Sequence, residues 1–256
     1  MTGQSAGKPQ NVVSTNSAFI LDFGSILENG FPKGCTISLF GPVGVGKTVF
    51  CENIARGFLN SGVGCVYIST ERTPADIRND FRTLGADVDK FEAQKQLTFV
   101  DGYNWLAGNS TETYRVENLA NLSELTVTIE KAYTNLKQEE LIILDSVSPL
   151  CLHNPEKDVT KFLQLLAARI KGWGAIGIIV VQAGVHSQKF YNALAYLVDG
   201  MFDLRQNEEG NVIKRYFRVR NLRFSAHKVE WMPFIIQVGR GLKLEKKEIT
   251  RQTTVD

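Results

Sequence analysis

Residues Gly41 to Thr48 read GPVGVGKT, a match to the pattern GxxxxGK[ST]. Glycines, a lysine and a hydroxyl at this spacing suit the holding of a polyphosphate. Gly41, Gly44 and Gly46 let the backbone curl until successive N–H groups point inward as an anion nest. Pro42, Val43 and Val45 complete the loop and Val49 follows it. A helix starting at the loop adds its N-terminal partial charge. Lys47 can reach the β- and γ-phosphates, and the Thr48 hydroxyl can join the shell of a Mg²⁺ ion. The predicted ligand is a nucleoside triphosphate with its Mg²⁺. A chance match in a chain of this length has odds of roughly one in a hundred. Here the motif also has the flanks it requires, the apolar run CTISLF before it and the helical pattern KTVFCENIARGFLN after it.

Three more residues could complete such a site. Asp145 ends the apolar run LIILD. Alone it would read as a loop cap; downstream of a phosphate loop it reads as the carboxylate that holds the Mg²⁺ shell. Glu71 ends CVYISTE and could orient and deprotonate a water for in-line attack; the bland reading is an exposed charge at a strand end. Gln182 ends AIGIIVVQ. Its amide could sense the γ-phosphate, or it could be only a polar strand end.

The elements that must position these residues follow from periodicity. CTISLF, CVYIS, LTFVD, LIILD and AIGIIVVQ are apolar runs without alternation, the pattern of strands buried on both faces of a parallel sheet. Between them lie helical patterns. Phe50, Ile54 and Phe58 share one face, as do Ile77, Phe81 and Leu84 after a Thr73–Pro74 start and before Gly85. Leu122, Leu125, Ile129, Ala132 and Leu136 form a third stripe, and Val159, Phe162, Leu166 and Ile170 a fourth. After about Gly200 the segments GMFDLR, VIKRYFRVRNLRF and PFIIQVGRGLKL predict successive strands, an antiparallel extension of the sheet. Asp145, Glu71 and Gln182 each end a predicted strand, where open parallel sheets bind ligands.

The 256-residue chain is 43% hydrophobic and 22% charged, enough for one large core. A formal net charge of +2 gives no broad basic field and argues against a DNA-binding role. Cys35, Cys51, Cys65 and Cys151 form no CxxC and predict buried free thiols, with Cys35 and Cys65 in strands. No apolar run approaches the ~18 residues of a membrane span, and no signal-peptide pattern opens the chain. The sequence therefore predicts a cytoplasmic protein without membrane insertion. Residues 1–17 and 246–256 read as flexible tails around one domain, 18–245.

With these residues in hand the chain resembles the KaiC branch of the RecA superfamily of P-loop ATPases, over Ala18 to Leu244. ILENGFPKG resembles that family's lead into its first strand, and GPVGVGKT its Walker A loop. STERTPADIRNDFRTLGADV resembles the segment with a glutamate and a helix, and LIILDSVSPL the Walker B strand. YLVDGMFDL, VRNLRFSAH and the closing PFIIQVG complete an ordered set. The resemblance implies an α/β fold: a RecA-like P-loop NTPase core, mostly parallel sheet flanked by helices, with the C-terminal antiparallel β extension. It implies a homo-oligomer, commonly a hexameric ring with ATP between subunits. Lys47 and Thr48 take the Walker A roles, Asp145 the Walker B role and Glu71 the catalytic glutamate role. Arg223 and His227 match residues that reach a neighbour's nucleotide.

This chain departs from the family's pattern at two positions. Arg72 stands where a second glutamate is common, and Asn221 where the family has a lysine. Both bear on turnover. An Mg²⁺-dependent ATPase is the leading expectation, with Arg72 slowing it by lowering the basicity of Glu71 or by tying it up in an ion pair. The second is a slow or non-hydrolysing ATP-dependent switch acting on an unidentified partner protein, as in FlaH-like relatives of the archaellum motor. The third is a RecA/RadA-type recombinase paralogue. FYNA at Phe190 to Ala193 mimics a recombinase docking motif but lies in phase with Leu194 and Leu197, as core packing does. The basic run Arg215, Arg218, Arg220, Arg223 reads as a strand face or interface.

Overall fold

The structure, a computed structural model, describes residues 12–13, 26–28 and 30–245. Two short strands, β1 (Val12–Val13) and β2 (Phe31–Pro32), pair antiparallel. So part of the segment expected to be a tail takes a strand partner; the remainder of 1–17, and all of 246–256, lie outside the described residues.

The body is a ten-stranded sheet. In chain order its parts are β3 (Thr36–Gly41), α1 (Lys47–Asn60), β4 (Gly64–Ser69), α2 (Pro74–Thr83), α3 (Val88–Ala93), β5 (Leu97–Asp101), β6 (Tyr114–Arg115) and α4 (Leu122–Thr134). There follow β7 (Glu139–Asp145), α5 (Ser148–His153), α6 (Glu156–Trp173), β8 (Ile176–Gln182), α7 (Gln188–Leu197), β9 (Gly200–Glu209), β10 (Val212–Leu222), β11 (Met232–Gln237) and β12 (Gly241–Leu244). The strand order is β12-β11-β10-β9-β3-β8-β7-β4-β5-β6. Every pairing from β9 to β6 is parallel, and β9 through β12 pair antiparallel.

The continuous apolar runs are explained by two cores. On one face Leu141 and Ile143 of β7, Ile178 and Val180 of β8 and Tyr67 of β4 pack with Phe50, Ile54 and Phe58 of α1 and Ile77 and Phe81 of α2. On the other face Ile142, Leu144, Ile179 and Val181 pack with Leu125 and Ile129 of α4, Phe162 and Leu166 of α6, and Phe190 and Leu194 of α7. Each strand feeds both cores by alternation, so no position along it can be polar until the strand ends. Phe190 is buried in its own subunit, which accounts for FYNA as packing.

Local signals set the ends. Thr73 caps α2, its hydroxyl accepting from Asp76 N while Asp76 reaches back to Thr73 N, with Pro74 in the first turn. Gly85, at φ 78°, stops the chain beyond it. Cys35, Cys51 and Cys65 are buried free thiols; Cys51 sits on α1, and Cys35 precedes β3 rather than lying in it. Cys151 is half-buried.

Register places the ends of the parallel strands level. Gly41 is opposite Gln182, Ser69 opposite Asp145, and Asp101 opposite Ser69. One edge of the sheet thus gathers the phosphate loop, Gln182, Asp145 and the turn that carries Glu71.

Candidate functional site

The loop from Gly41 to Thr48 joins β3 to α1. Its valines split by burial: Val45 is fully buried in the α1-side core, whereas Val43 is 73% exposed. Val49 packs partly against the same core, and Pro42 is half-buried at the bend. Two glycines are held by their surroundings. A Cβ on Gly41 would lie 2.8 Å from the Leu204 carbonyl oxygen. Gly46 has φ 104°, and a Cβ there would also meet Ile236 Cδ1 at 2.6 Å. Gly46 is the N-cap of α1, which receives no side-chain cap. Its opening N–H groups are therefore available to an anion rather than to a serine or aspartate.

Lys47 is the first residue of α1 and only 9% exposed. Its ammonium donates to Gly41 O at 3.0 Å, Pro42 O at 2.7 Å and Gln182 Oε1 at 2.7 Å. Burial pushes its pKa down, while Glu71 and Asp145 push it back up. The Gln182 Nε2 group is buried with no partner, an unspent donor beside the ammonium.

Asp145 is 5% exposed and accepts from the Tyr67 hydroxyl at 2.8 Å, with the Thr48 hydroxyl nearby. Burial raises its pKa; the two hydroxyl donors oppose this. Glu71, exposed beyond the end of β4, accepts a hydrogen bond from Ser146 Oγ. Ser146 is itself fixed by Thr70, whose hydroxyl donates to Ser146 O and accepts from Ser146 N, both at 2.7 Å. Sequence pattern alone does not mark Tyr67, Thr70 or Ser146. Thr70 and Ser146 are chain neighbours of Glu71 and Asp145. Tyr67 becomes visible only through register, as the polar tip in phase with Asp145 on the adjacent strand.

The donor set fits Mg²⁺. A buried carboxylate and a neighbouring threonine hydroxyl are hard oxygen ligands, and a nearby ammonium and amide suit phosphate oxygens. Among the described residues no group of three or more His, Cys, Asp or Glu could hold a metal.

Arg72 does not pair with Glu71, contrary to the sequence expectation. Its guanidinium lies on Asp80 of α2, eight residues on. A helix that starts at Pro74 turns Asp80 toward the strand end, where Arg72 meets it.

Behind this pair lies an acid the sequence did not flag. Glu52 of α1 is 1% exposed, with Oε1 unpartnered. Burial first, then the nearby Asp80 carboxylate, push its pKa up to about 9 against a nearby Arg72. The folded chain therefore keeps a proton that the unfolded chain releases above about pH 4.5. Stability from this group is complete below that pH and falls as pH rises toward 9, by about 3 kcal/mol at pH 7. Glu52→Gln keeps the shape and removes the ionisation. Its melting temperature relative to wild type should rise steadily from pH 5 to pH 8; a pH-independent difference would show that Glu52 is ionised in the fold.

Arg223 and His227 stand elsewhere. Leu222 at the end of β10 is opposite Gly200, which is opposite Ile37 at the start of β3. Both residues therefore follow the far end of the sheet, about 17 Å from the phosphate loop by the rise of β3 alone. Arg223 Nη1 lies 3.5 Å from Asp199 Oδ1 and its side chain is 54% exposed. His227 Nδ1 donates to Ser225 O at 2.7 Å. Asn221 follows a β-bulge at Arg220. Arg218 and Arg220 both pair with Asp203, which neutralises part of the basic run. The fold thus brings together Lys47, Thr48, Asp145, Glu71 and Gln182, and leaves Arg223 and His227 apart from them.

Comparison with known proteins gives concordant matches. The family described as "ATPase: KaiC" matches residues 17–249. A UPF0273 protein of Pyrococcus furiosus is 28% identical over 214 residues, 82% of this chain and 86% of the relative. A UPF0273 protein of Methanopyrus kandleri is 26% identical over 227 residues, 88% and 89% of the two chains. The crystal structure of a KaiC-like protein from Pyrococcus horikoshii superposes with a TM-score of 0.75 at 23% identity, covering 91% of this chain and all of that one. The likeness extends to the whole architecture, a mostly parallel RecA-like sheet with helices and C-terminal antiparallel strands. Among the described residues no helix is long and apolar enough to cross a membrane.

Proposed function

Because this chain belongs to the KaiC family of ATPases, we propose that it binds Mg-ATP at Gly41–Thr48 and hydrolyses it between subunits of a homo-hexameric ring, as a cytoplasmic regulatory ATPase. The observation that carries this reading is the Lys47 ammonium, held by Gly41 O, Pro42 O and Gln182 Oε1, at the same sheet edge as the buried Asp145 carboxylate and the turn that carries Glu71.

In this reading the loop from Gly41 to Gly46 and the start of α1 cradle the phosphates, with Pro42, Val43, Val45 and Val49 shaping the cradle. Thr48 and Asp145 would hold Mg²⁺, which would neutralise charge on the phosphate oxygens. Lys47 supplies a positive charge at the β- and γ-phosphates. Glu71, aimed by Ser146, orients a water and takes its proton. Gln182 offers Nε2 to the γ-phosphate and so reports its presence to the end of β8. The catalytic domain spans 18–245 in this reading, with Val12–Val13 paired onto its β2 strand.

Arg223 and His227 act in trans, Arg223 on phosphate and His227 on the nucleotide or the interface. Their position at the far end of the sheet supports this, since one subunit cannot fold them onto its own loop. A ligand held only by the assembly also stabilises it by mass action. An ATPase assay, with the mass in solution measured with and without Mg-ATP, tests the whole reading. Mixing Lys47→Ala with Arg223→Ala subunits tests the trans roles. Each alone should be inactive, and an equal mixture should regain activity, with about a quarter of heterologous interfaces intact. No recovery despite subunit exchange, or a fully active monomer, would overturn the assignment.

A second reading is a switch that binds ATP, turns over slowly and regulates a partner protein. Asn221 at the family's lysine position favours it. A DNA-binding recombinase role is disfavoured by the pairing of Arg218 and Arg220 with Asp203.

A further inference from the structure

The loop after β10 carries an aromatic ring in a place that folding of a single chain does not account for. Phe224 has φ 63°, in the left-handed region where a side chain crowds its own backbone, at a cost of roughly five- to thirtyfold in population. Phe224 is also 89% exposed, so little buried area offsets that cost.

The conformation is imposed by neighbours. Arg223 N donates to Asp199 O at 3.0 Å, Glu28 N to Ala226 O at 3.1 Å and Lys228 N to Ile26 O at 3.1 Å. Leu27 and His227 form an antiparallel bridge. A loop pinned on both flanks presents Phe224 at a fixed place, the circumstance in which an unfavourable backbone points to function.

At the other end of the molecule the phosphate loop exposes apolar groups. Val43 is 73% exposed, and Val185, just beyond β8, is 58% exposed. Their loops are neighbours, since Ala183 N donates to Gly41 O at 2.9 Å. In the ring reading, head-to-tail association would bring the β10 end of one copy to the phosphate-loop end of the next, a heterologous geometry that can close a ring. If Arg223 reaches a neighbour's phosphates, Phe224, one Cα–Cα step of about 3.8 Å away, is carried within reach of the rim of that loop.

We propose that Phe224 is the apolar anchor of the contact between copies, seating on the Val43–Val185 rim of the next copy's phosphate loop. The inference rests on the ring reading and adds its binding determinant. Rigid aromatic side chains that fill a partner's apolar site carry a large share of interface energy.

Phe224→Gly separates the two effects of this residue, because it removes the ring and also relieves the left-handed strain. Sedimentation across a concentration series in Mg-ATP should show its assembly weakened at least about tenfold. Its melting temperature as a dilute monomer should equal or exceed that of wild type. Val185→Asp, on the opposite face, should weaken assembly similarly. A wild type that stays monomeric throughout would overturn the ring reading and this anchor with it. A wild type that assembles, with Phe224→Gly assembling at the same concentrations, would overturn the anchor alone. Loss of assembly in Phe224→Gly but not in Val185→Asp would overturn the proposed seat.

Discussion

Glu71→Gln should lower ATP turnover by about 10²- to 10⁴-fold, the range for losing a positioned general base, while leaving Mg-ATP affinity within about twofold. The swap isolates basicity. Glutamine keeps an oxygen that can accept from Ser146 Oγ, so the side chain stays aimed as the native carboxylate is. Glu71 makes no contact that holds Lys47, whose three acceptors are Gly41 O, Pro42 O and Gln182 Oε1. The phosphate cradle should therefore survive the substitution. Arg72 leaves Glu71 free to act, because its guanidinium is occupied by Asp80. Steady-state kinetics and a titration with Mg-ATP read the two quantities separately. Turnover equal to wild type would reduce Glu71 to a strand-end charge. A wild type without turnover above background would replace the enzyme reading with the switch.

The parts of this fold that were legible in the sequence are those where one physical demand repeats. Leu141 to Leu144 must satisfy a core on each face at once, so the strand shows as an unbroken apolar run. Ile77 and Phe81 serve one core and show a helical period between a Thr–Pro start and a glycine stop. The helices Val88–Ala93 and Ser148–His153 span six residues each, too few for a period to emerge. PFIIQVGRGLKL resolves into two strands, β11 and β12, because the turn at Val238–Arg240 reverses the chain within it.

The site was legible in its carboxylates and its loop, since each ends an apolar run where the sheet opens. What was hidden are the contacts made across strands. Tyr67 and Asp145 are 78 residues apart and meet only because β4 and β7 are adjacent and in register. Arg72 was expected to act on its chain neighbour, but consecutive residues leaving a strand point apart, and the next helix supplied its partner. Glu52 looks like a solvated helix residue by type. It is buried because α1 is covered on one side by β12 and on another by α2, a packing that no local pattern announces.

Lys47→Ala should weaken Mg-ATP binding by about 10²-fold, the loss of charge-assisted hydrogen bonds to phosphate at a half-desolvated site. An ammonium has three N–H donors, and all three already have acceptors here: two loop carbonyls and the Gln182 amide oxygen. To take a phosphate oxygen, Lys47 must exchange one of them. The carbonyls of Gly41 and Pro42 are fixed by the loop, whereas Gln182 has rotatable bonds and an unpaired Nε2 that can turn to a phosphate in the same movement. The exchange thus replaces a Lys47–Gln182 bond with bonds from both side chains to the ligand. Removing Lys47 loses the charge and also the partner that holds Gln182. Calorimetric titration of the mutant with Mg-ATP reads the affinity directly, with its melting curve as a check that the loop still folds. An affinity equal to wild type in a folded mutant would mean that GPVGVGKT does not bind the nucleotide, and the assignments of Thr48, Asp145 and Glu71 would fall with it.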